Sequence, residues 1–122
     1  MGSQNGNSQR KRAASSRRVV VLTVPPVDEF DLVCPIQVFG AANRLAGKAV
    51  YRIEVVTNGK DAKVRGEGGV LSFVAETNYK ALNANFDSLL LVCGLGTRNA
   101  RDPALFAWLR RIAPSVRRLG SV

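Results

Sequence analysis

Histidine is missing from the whole chain of 122 residues. Its absence removes every site that would need an imidazole from this chain: a Ser–His–Asp triad, a histidine-ligated metal, a histidine general base. Cysteine is nearly as scarce. Cys34 and Cys93 lie in apolar stretches, which argues against a disulfide framework and for a reducing, cytoplasmic setting. With no histidine beside either, both are expected to be structural thiols. No metal or cofactor motif stands out. No apolar run approaches the ~18 residues of a membrane span, so no membrane partner is expected. Ser15-Ser16-Arg17-Arg18 ahead of Val19–Leu22 superficially resembles a twin-arginine signal, but Pro25, Pro26, Asp28 and Glu29 cut the apolar run short. Acids are the last scarcity: nine Asp and Glu stand against 18 Lys and Arg, for a formal charge of +9.

That charge is uneven. Arg10, Lys11, Arg12, Arg17 and Arg18 fall in the first 18 residues, where there is no acid. Much of the basic excess therefore belongs to the leader, and nucleic-acid binding by the body does not follow from composition. Residues 1–17 are Gly, Ser, Asn, Gln and Arg with few apolar side chains, and read as a disordered basic tail. The remaining length holds one domain at most.

Val19–Val24 is a continuous run, β-branched except at Leu22, as in a parallel strand buried on both faces. Asp28–Ala46 follows with helical periodicity. Leu32, Ile36, Phe39, Asn43 and Ala46 recur at steps of three and four, and Val33, Val38, Ala41, Ala42 and Leu45 widen the stripe. Since proline suits only a first helical turn, Pro35 predicts a short turn over 28–33 and a main helix from about Cys34, ended by Gly47. Tyr51–Thr57 is a second strand, closed by Asn58-Gly59. Residues 60–72 suggest a small hairpin and loop, and Asn78–Leu82 a helical turn. Ser88–Cys93 is a third buried strand. Asp102-Pro103 starts a helix whose buried face is Leu105, Phe106, Leu109 and Ile112. Pro114 stops it, and Arg117–Val122 begins a fourth strand. Apolar strands alternating with helices predict an α/β fold: a doubly wound, mainly parallel sheet with helices on both faces. The chain stops inside its fourth strand, which leads us to expect a truncated domain.

Two segments could carry chemistry. Asp31, just past the first strand, stands where ligand sites of α/β sheets form. It reads either as a proton-exchanging acid or, on spacing alone more simply, as a carboxylate favoured by a helix start. Gly94-Leu95-Gly96-Thr97 follows the third strand. Its N–H groups could converge on an anion or oxyanion, or the glycines could simply make a tight turn, since no helix starts at once. Arg98, Arg101, Arg110, Arg111, Arg117 and Arg118 make the last third basic and read as a solvated face.

Together these segments resemble a family. Phe30-Asp31-Leu32-Val33-Cys34-Pro35-Ile36-Gln37-Val38-Phe39 is similar to the D-L-x-G-P-x-x-V-F segment of the ThiJ/PfpI family, in the class I glutamine-amidotransferase-like superfamily. It is most similar to the N-terminal sensor domain of AraC-type transcriptional regulators. Ala42-Asn43-Arg44, Leu89–Val92 with Gly94-Leu95-Gly96, Ala107–Arg110 and Leu119–Val122 continue the pattern, so the likeness spans about 18–122. Cys34 stands where the family usually has Gly, and Gln37 where Glu is common. The resemblance implies a flavodoxin-like fold. It also implies that the family's nucleophile-elbow Cys would come directly after Val122. In the family's enzymes, the acid matching Asp31 hydrogen-bonds that thiolate, and the turn matching Gly94, Leu95 and Gly96 supplies oxyanion N–H groups. The expectation is a non-catalytic sensor portion of an AraC-type regulator. Such a protein would take a small-molecule ligand, reach DNA through a C-terminal helix-turn-helix domain absent here, and form a homodimer at full length. No cofactor is expected. The alternative is a fragment of a ThiJ/PfpI enzyme, an isonitrile hydratase or glyoxalase-like hydrolase.

Overall fold

The computed structural model describes residues 16–83 and 85–122. The expected tail therefore lies outside the described residues, except Ser16 and Arg17. Strand β1 (Arg17–Thr23) opens at Arg17, two residues ahead of the valine run, and Val19–Thr23 are all buried. Helix α1 (Glu29–Ala46) leads to β2 (Tyr51–Thr57). A ribbon of β3 (Lys63–Arg65) and β4 (Ser72–Val74) follows, then the two-residue strand β5 (Thr77–Asn78) and a 3-10 turn at Tyr79–Ala81. The chain continues through β6 (Ser88–Leu91), the single-turn helix α2 (Leu95–Arg98), α3 (Pro103–Ile112), a 3-10 turn at Ala113–Ser115 and β7 (Arg118–Ser121).

The main sheet has the order β5-β2-β1-β6-β7, and each of its pairings is parallel. It is the doubly wound arrangement that alternating apolar strands and helices require. Alternate residues of β1 feed two cores. Val20, Leu22 and Val24 pack with Val56, Leu89, Leu105 and Trp108 beneath α3. Val21 faces the other way, with Val27, Leu32, Val64 and Val92, beneath α1 and the β3–β4 ribbon.

Three expectations are corrected. Helix α1 is continuous through Pro35, with no separate turn over 28–33. The Asp28 carboxylate caps the Asp31 N–H at 3.1 Å and the Asp28 carbonyl accepts from Leu32, which starts the helix nearly two turns before the proline. Pro35 removes the N–H that would reach the Asp31 carbonyl, a cost of ~3 kcal/mol; its burial in the core offsets part of that. Second, the apolar stripe of α1 is narrower than its composition. Leu32 and Pro35 are buried, whereas Val33, Val38 and Leu45 face outward with Phe30. Cys34 is likewise exposed and Cys93 half-buried, so the apolar neighbours of Cys34 in sequence do not enclose it in space. Third, the buried pair of α3 is Leu105 and Trp108, one turn apart, while Phe106 sits 38% exposed, about 100° around the helix from Leu105. Asp102 does cap this helix, accepting from Leu105 N–H at 3.1 Å.

Candidate functional site

The chain leaves β1 for β2 on one side of the sheet and later returns to β6 on the other. Such a reversal opens a crevice beyond the carboxyl ends of the two central strands. Here their extensions touch. Val92 N–H donates to Leu22 O at 3.0 Å, Asp28 N–H to Cys93 O at 3.1 Å, and Gly96 N–H to Pro26 O at 2.8 Å. The approach leaves no room for side chains. A Cβ on Gly94, whose φ is +149°, would lie 2.6 Å from the Asp28 nitrogen, and one on Gly96 would run into the Val24 carbonyl oxygen.

The turn is also a helix start. Leu95–Arg98 forms one α-turn directly after Gly94, where the sequence suggested none. Its first N–H is occupied: Leu95 donates to the Glu67 carboxylate at 2.9 Å. Of the N–H groups at Gly94, Leu95 and Gly96 expected to face an anion, two therefore have acceptors within the protein.

Glu67 arrives on the loop between β3 and β4. That loop lies across the crevice like a strap. Val27 N–H donates to Arg65 O at 2.9 Å and Glu67 N–H to Val27 O at 2.7 Å. The Glu29 carboxylate accepts from Gly68 N–H at 3.1 Å. Beside it opens a cleft of about 390 Å³ lined by Pro25, Pro26, Arg65, Gly66, Glu67 and Gly69.

Asp31 is half-exposed in the first turn of α1, one turn past the junction of Asp28 with Cys93. It is not among the residues lining the cleft, and its carboxylate makes no hydrogen bond among the described residues. The structure thus brings the β1 extension and the glycine turn together and adds Glu29 and Glu67. Sequence reasoning missed both: Glu29 reads as an ordinary acid at a helix start, and nothing periodic marks the polar loop that carries Glu67. The available signal was an acid set inside Gly66-Glu67-Gly68-Gly69.

A second cleft, of about 350 Å³, lies between the Tyr79 turn and α3, lined by Tyr79, Lys80, Ala104, Ala107, Trp108 and Arg111. The Tyr79 ring meets Trp108 edge-on, and its buried hydroxyl has no partner among the described residues. Burial, reinforced by the nearby Asp102 charge, pushes the Tyr79 phenol up. No cluster of three or more His, Cys, Asp or Glu that could hold a metal occurs among the described residues. No helix among them is long and apolar enough to cross a membrane.

No family model matches the chain, and no curated protein matches it. Solved structures do. An AraC family transcriptional regulator from Pseudomonas putida superposes with a TM-score of 0.72 at 23% identity, over 86% of this chain and 63% of that one. A ThiJ/PfpI family protein from Pseudomonas syringae gives 0.72 at 21% identity, over 87% and 41%. A DJ-1 superfamily protein from Agrobacterium tumefaciens gives 0.64 at 20% identity, over 86% and 52%. The chain has the flavodoxin-like fold of the DJ-1 and ThiJ/PfpI proteins. It spans less than two thirds of the length of each of these three structures.

Proposed function

We propose that this chain is part of the ligand-sensing, non-catalytic domain of an AraC-type transcriptional regulator, with the crevice beyond β1 and β6 as its small-molecule site. The observation that carries this reading is the occupied glycine turn. An oxyanion hole needs donors left free and preorganised for developing charge. Here Gly96 N–H is spent on Pro26 O and Leu95 N–H on the Glu67 carboxylate. The likeness to the Pseudomonas putida regulator supports the same reading. In it, Asp31 helps start α1, the cleft beside Pro25 and Pro26 admits the ligand, and DNA is addressed by a helix-turn-helix domain of a longer, dimeric, cytoplasmic protein.

The test is direct. Isonitrile hydration, glyoxalase and amidase assays on this chain should show no turnover above buffer. The same assays on the chain with its natural continuation past Val122 should stay silent, and that continuation should encode a helix-turn-helix. Turnover abolished by Asp31→Ala in either protein would overturn the proposal in favour of an enzyme of this fold.

A further inference from the structure

The cleft of about 350 Å³ between the Tyr79 turn and α3 falls in the size range of small-molecule sites. Its α3 side follows from helical spacing. Ala104, Ala107, Trp108 and Arg111 stand three, four and seven positions apart, so they share one face of the helix. The two alanines leave open the space that longer side chains would close. The opposite side is the 3-10 turn that carries Tyr79 and Lys80.

The cleft joins an aromatic wall to groups that lack partners. Tyr79 and Trp108 meet edge-on with ring centroids 5.1 Å apart, and Phe86 stacks on Trp108 at 6.3 Å. Tyr79 is only 2% exposed, and its hydroxyl makes no hydrogen bond among the described residues. Native proteins seldom leave such a group unpaired. Burial keeps the phenol protonated, so it is a donor lacking an acceptor.

The charge at the rim is positive. Lys80 Nζ lies 6.0 Å from the Tyr79 ring centroid, and the Arg111 charge is felt at the Tyr79 hydroxyl. Both cations are exposed, and neither forms an ion pair among the described residues. The Asp102 charge reaches Tyr79 and Lys80, but that carboxylate already accepts from Leu105 N–H and from Asn58 Nδ2, each at 3.1 Å.

We propose that this cleft binds a small aromatic carboxylate, with its ring against Trp108 and the alanines and its carboxylate shared by Arg111, Lys80 and the Tyr79 hydroxyl. A guanidinium presents forked donors that match a carboxylate, and aromatic rings gain from edge and offset contacts with one another. The core under α3 lies on the other side of the sheet from the core under α1. The cleft shares no lining residue with the one beside Pro25 and Pro26, so the inference stands whether the crevice senses or catalyses.

Trp108 is the one tryptophan of the chain and lines the cleft, so its fluorescence reports on occupancy. Titrating the full chain with benzoate should shift that emission saturably, with a Kd of about 1 mM or tighter. Benzamide and cyclohexanecarboxylate, which lack the charge and the aromatic ring respectively, should both bind more weakly. Arg111→Gln should weaken benzoate roughly tenfold. Tyr79→Phe should weaken it roughly fivefold without lowering Tm, because the hydroxyl it removes has no partner to lose. Ala104→Leu, from an exposed position, should fill the cleft and abolish binding at unchanged Tm. No saturable shift at millimolar benzoate, or undiminished binding in Arg111→Gln or Ala104→Leu, would overturn the proposal. So would benzamide, cyclohexanecarboxylate or inorganic phosphate binding as tightly as benzoate, or a lower Tm in Tyr79→Phe.

Discussion

The two edges of one sheet are closed in opposite ways. At the amino edge, long side chains do the work: Arg18 reaches across to Glu54 and on to Asn83, and Arg117 clasps Asp87. At the carboxyl edge, backbones touch. Val24, Pro26 and Asp28 lie directly against Cys93, Gly94 and Gly96, and only glycine fits between them. Side-chain closure leaves a charged, adaptable surface. Backbone closure leaves a rigid floor with a cleft beside it, where small changes have nowhere to go.

The hardest test of that contrast is Gly96→Ala. Its Cβ would strike the Val24 carbonyl, which is backbone and cannot swing aside, so chemical denaturation should show a loss of roughly 3 kcal/mol. Gly66→Ala is the control. Its Cβ would lie 2.4 Å from Glu29 Cγ and Cδ, which a side-chain rotation can carry away at the expense of the Glu29–Gly68 hydrogen bond, so the loss should be smaller, about 1.5 kcal/mol. Equal losses would show that the carboxyl edge is no stiffer than the strap.

At the amino edge, Arg18→Ala leaves the buried Glu54 carboxylate without its main partner, and should cost about 2 kcal/mol by urea unfolding. The Arg18 guanidinium holds the Glu54 carboxyl below the usual carboxylate range, so that variant should lose less stability in acid than wild type does. A smaller effect comes from Asp87. Hydrogen bonds from Arg117 and then from the Ser88 hydroxyl lower its pKa from 3.8 to about 2. A depressed carboxylate stabilises the fold fully above its unfolded value and loses that contribution as pH falls through its folded value. The gap between wild type and Asp87→Asn should therefore be widest above pH 3.8 and close towards pH 2. Parallel stability curves would break the assignment.

The smallest effect on global stability belongs to Glu67→Ala. The carboxylate is exposed, so the unfolding free energy should change by about 1 kcal/mol or less. Locally, the Leu95 amide loses its acceptor, and its hydrogen exchange should speed up roughly tenfold while Val20 and Leu89 stay protected. Unchanged exchange at Leu95 would mean that the strap does not hold the turn.

Much of this was legible in the chain. The uninterrupted apolar run of Val19–Val24 signals a strand buried on both faces, because a half-exposed strand would alternate. Asp102-Pro103 announces its helix, because a capping carboxylate and a proline at the first position satisfy the same orphan N–H groups that every helix start leaves. The resemblance carried by Phe30–Phe39 and Gly94–Gly96 led to the observed fold. Pro35 misled, since its local rule favours a first turn, and only the cap at Asp28 and burial against the core show why a mid-helix proline is accepted.

Local residue chemistry thus determined the long strands of the main sheet, the two long helices, and that no imidazole site exists in this chain. The contents of the two edges were a tertiary decision. Glu67 meets Leu95 across 28 positions, and Arg18 meets Glu54 across 36. Arg17, Arg52 and Arg118 share an edge only because their strands run parallel in the order β2-β1-β6-β7. Periodicity records which face of an element is buried, but charges and glycines in polar loops carry no period, so what they meet is fixed only when the sheet sets its strand order and register.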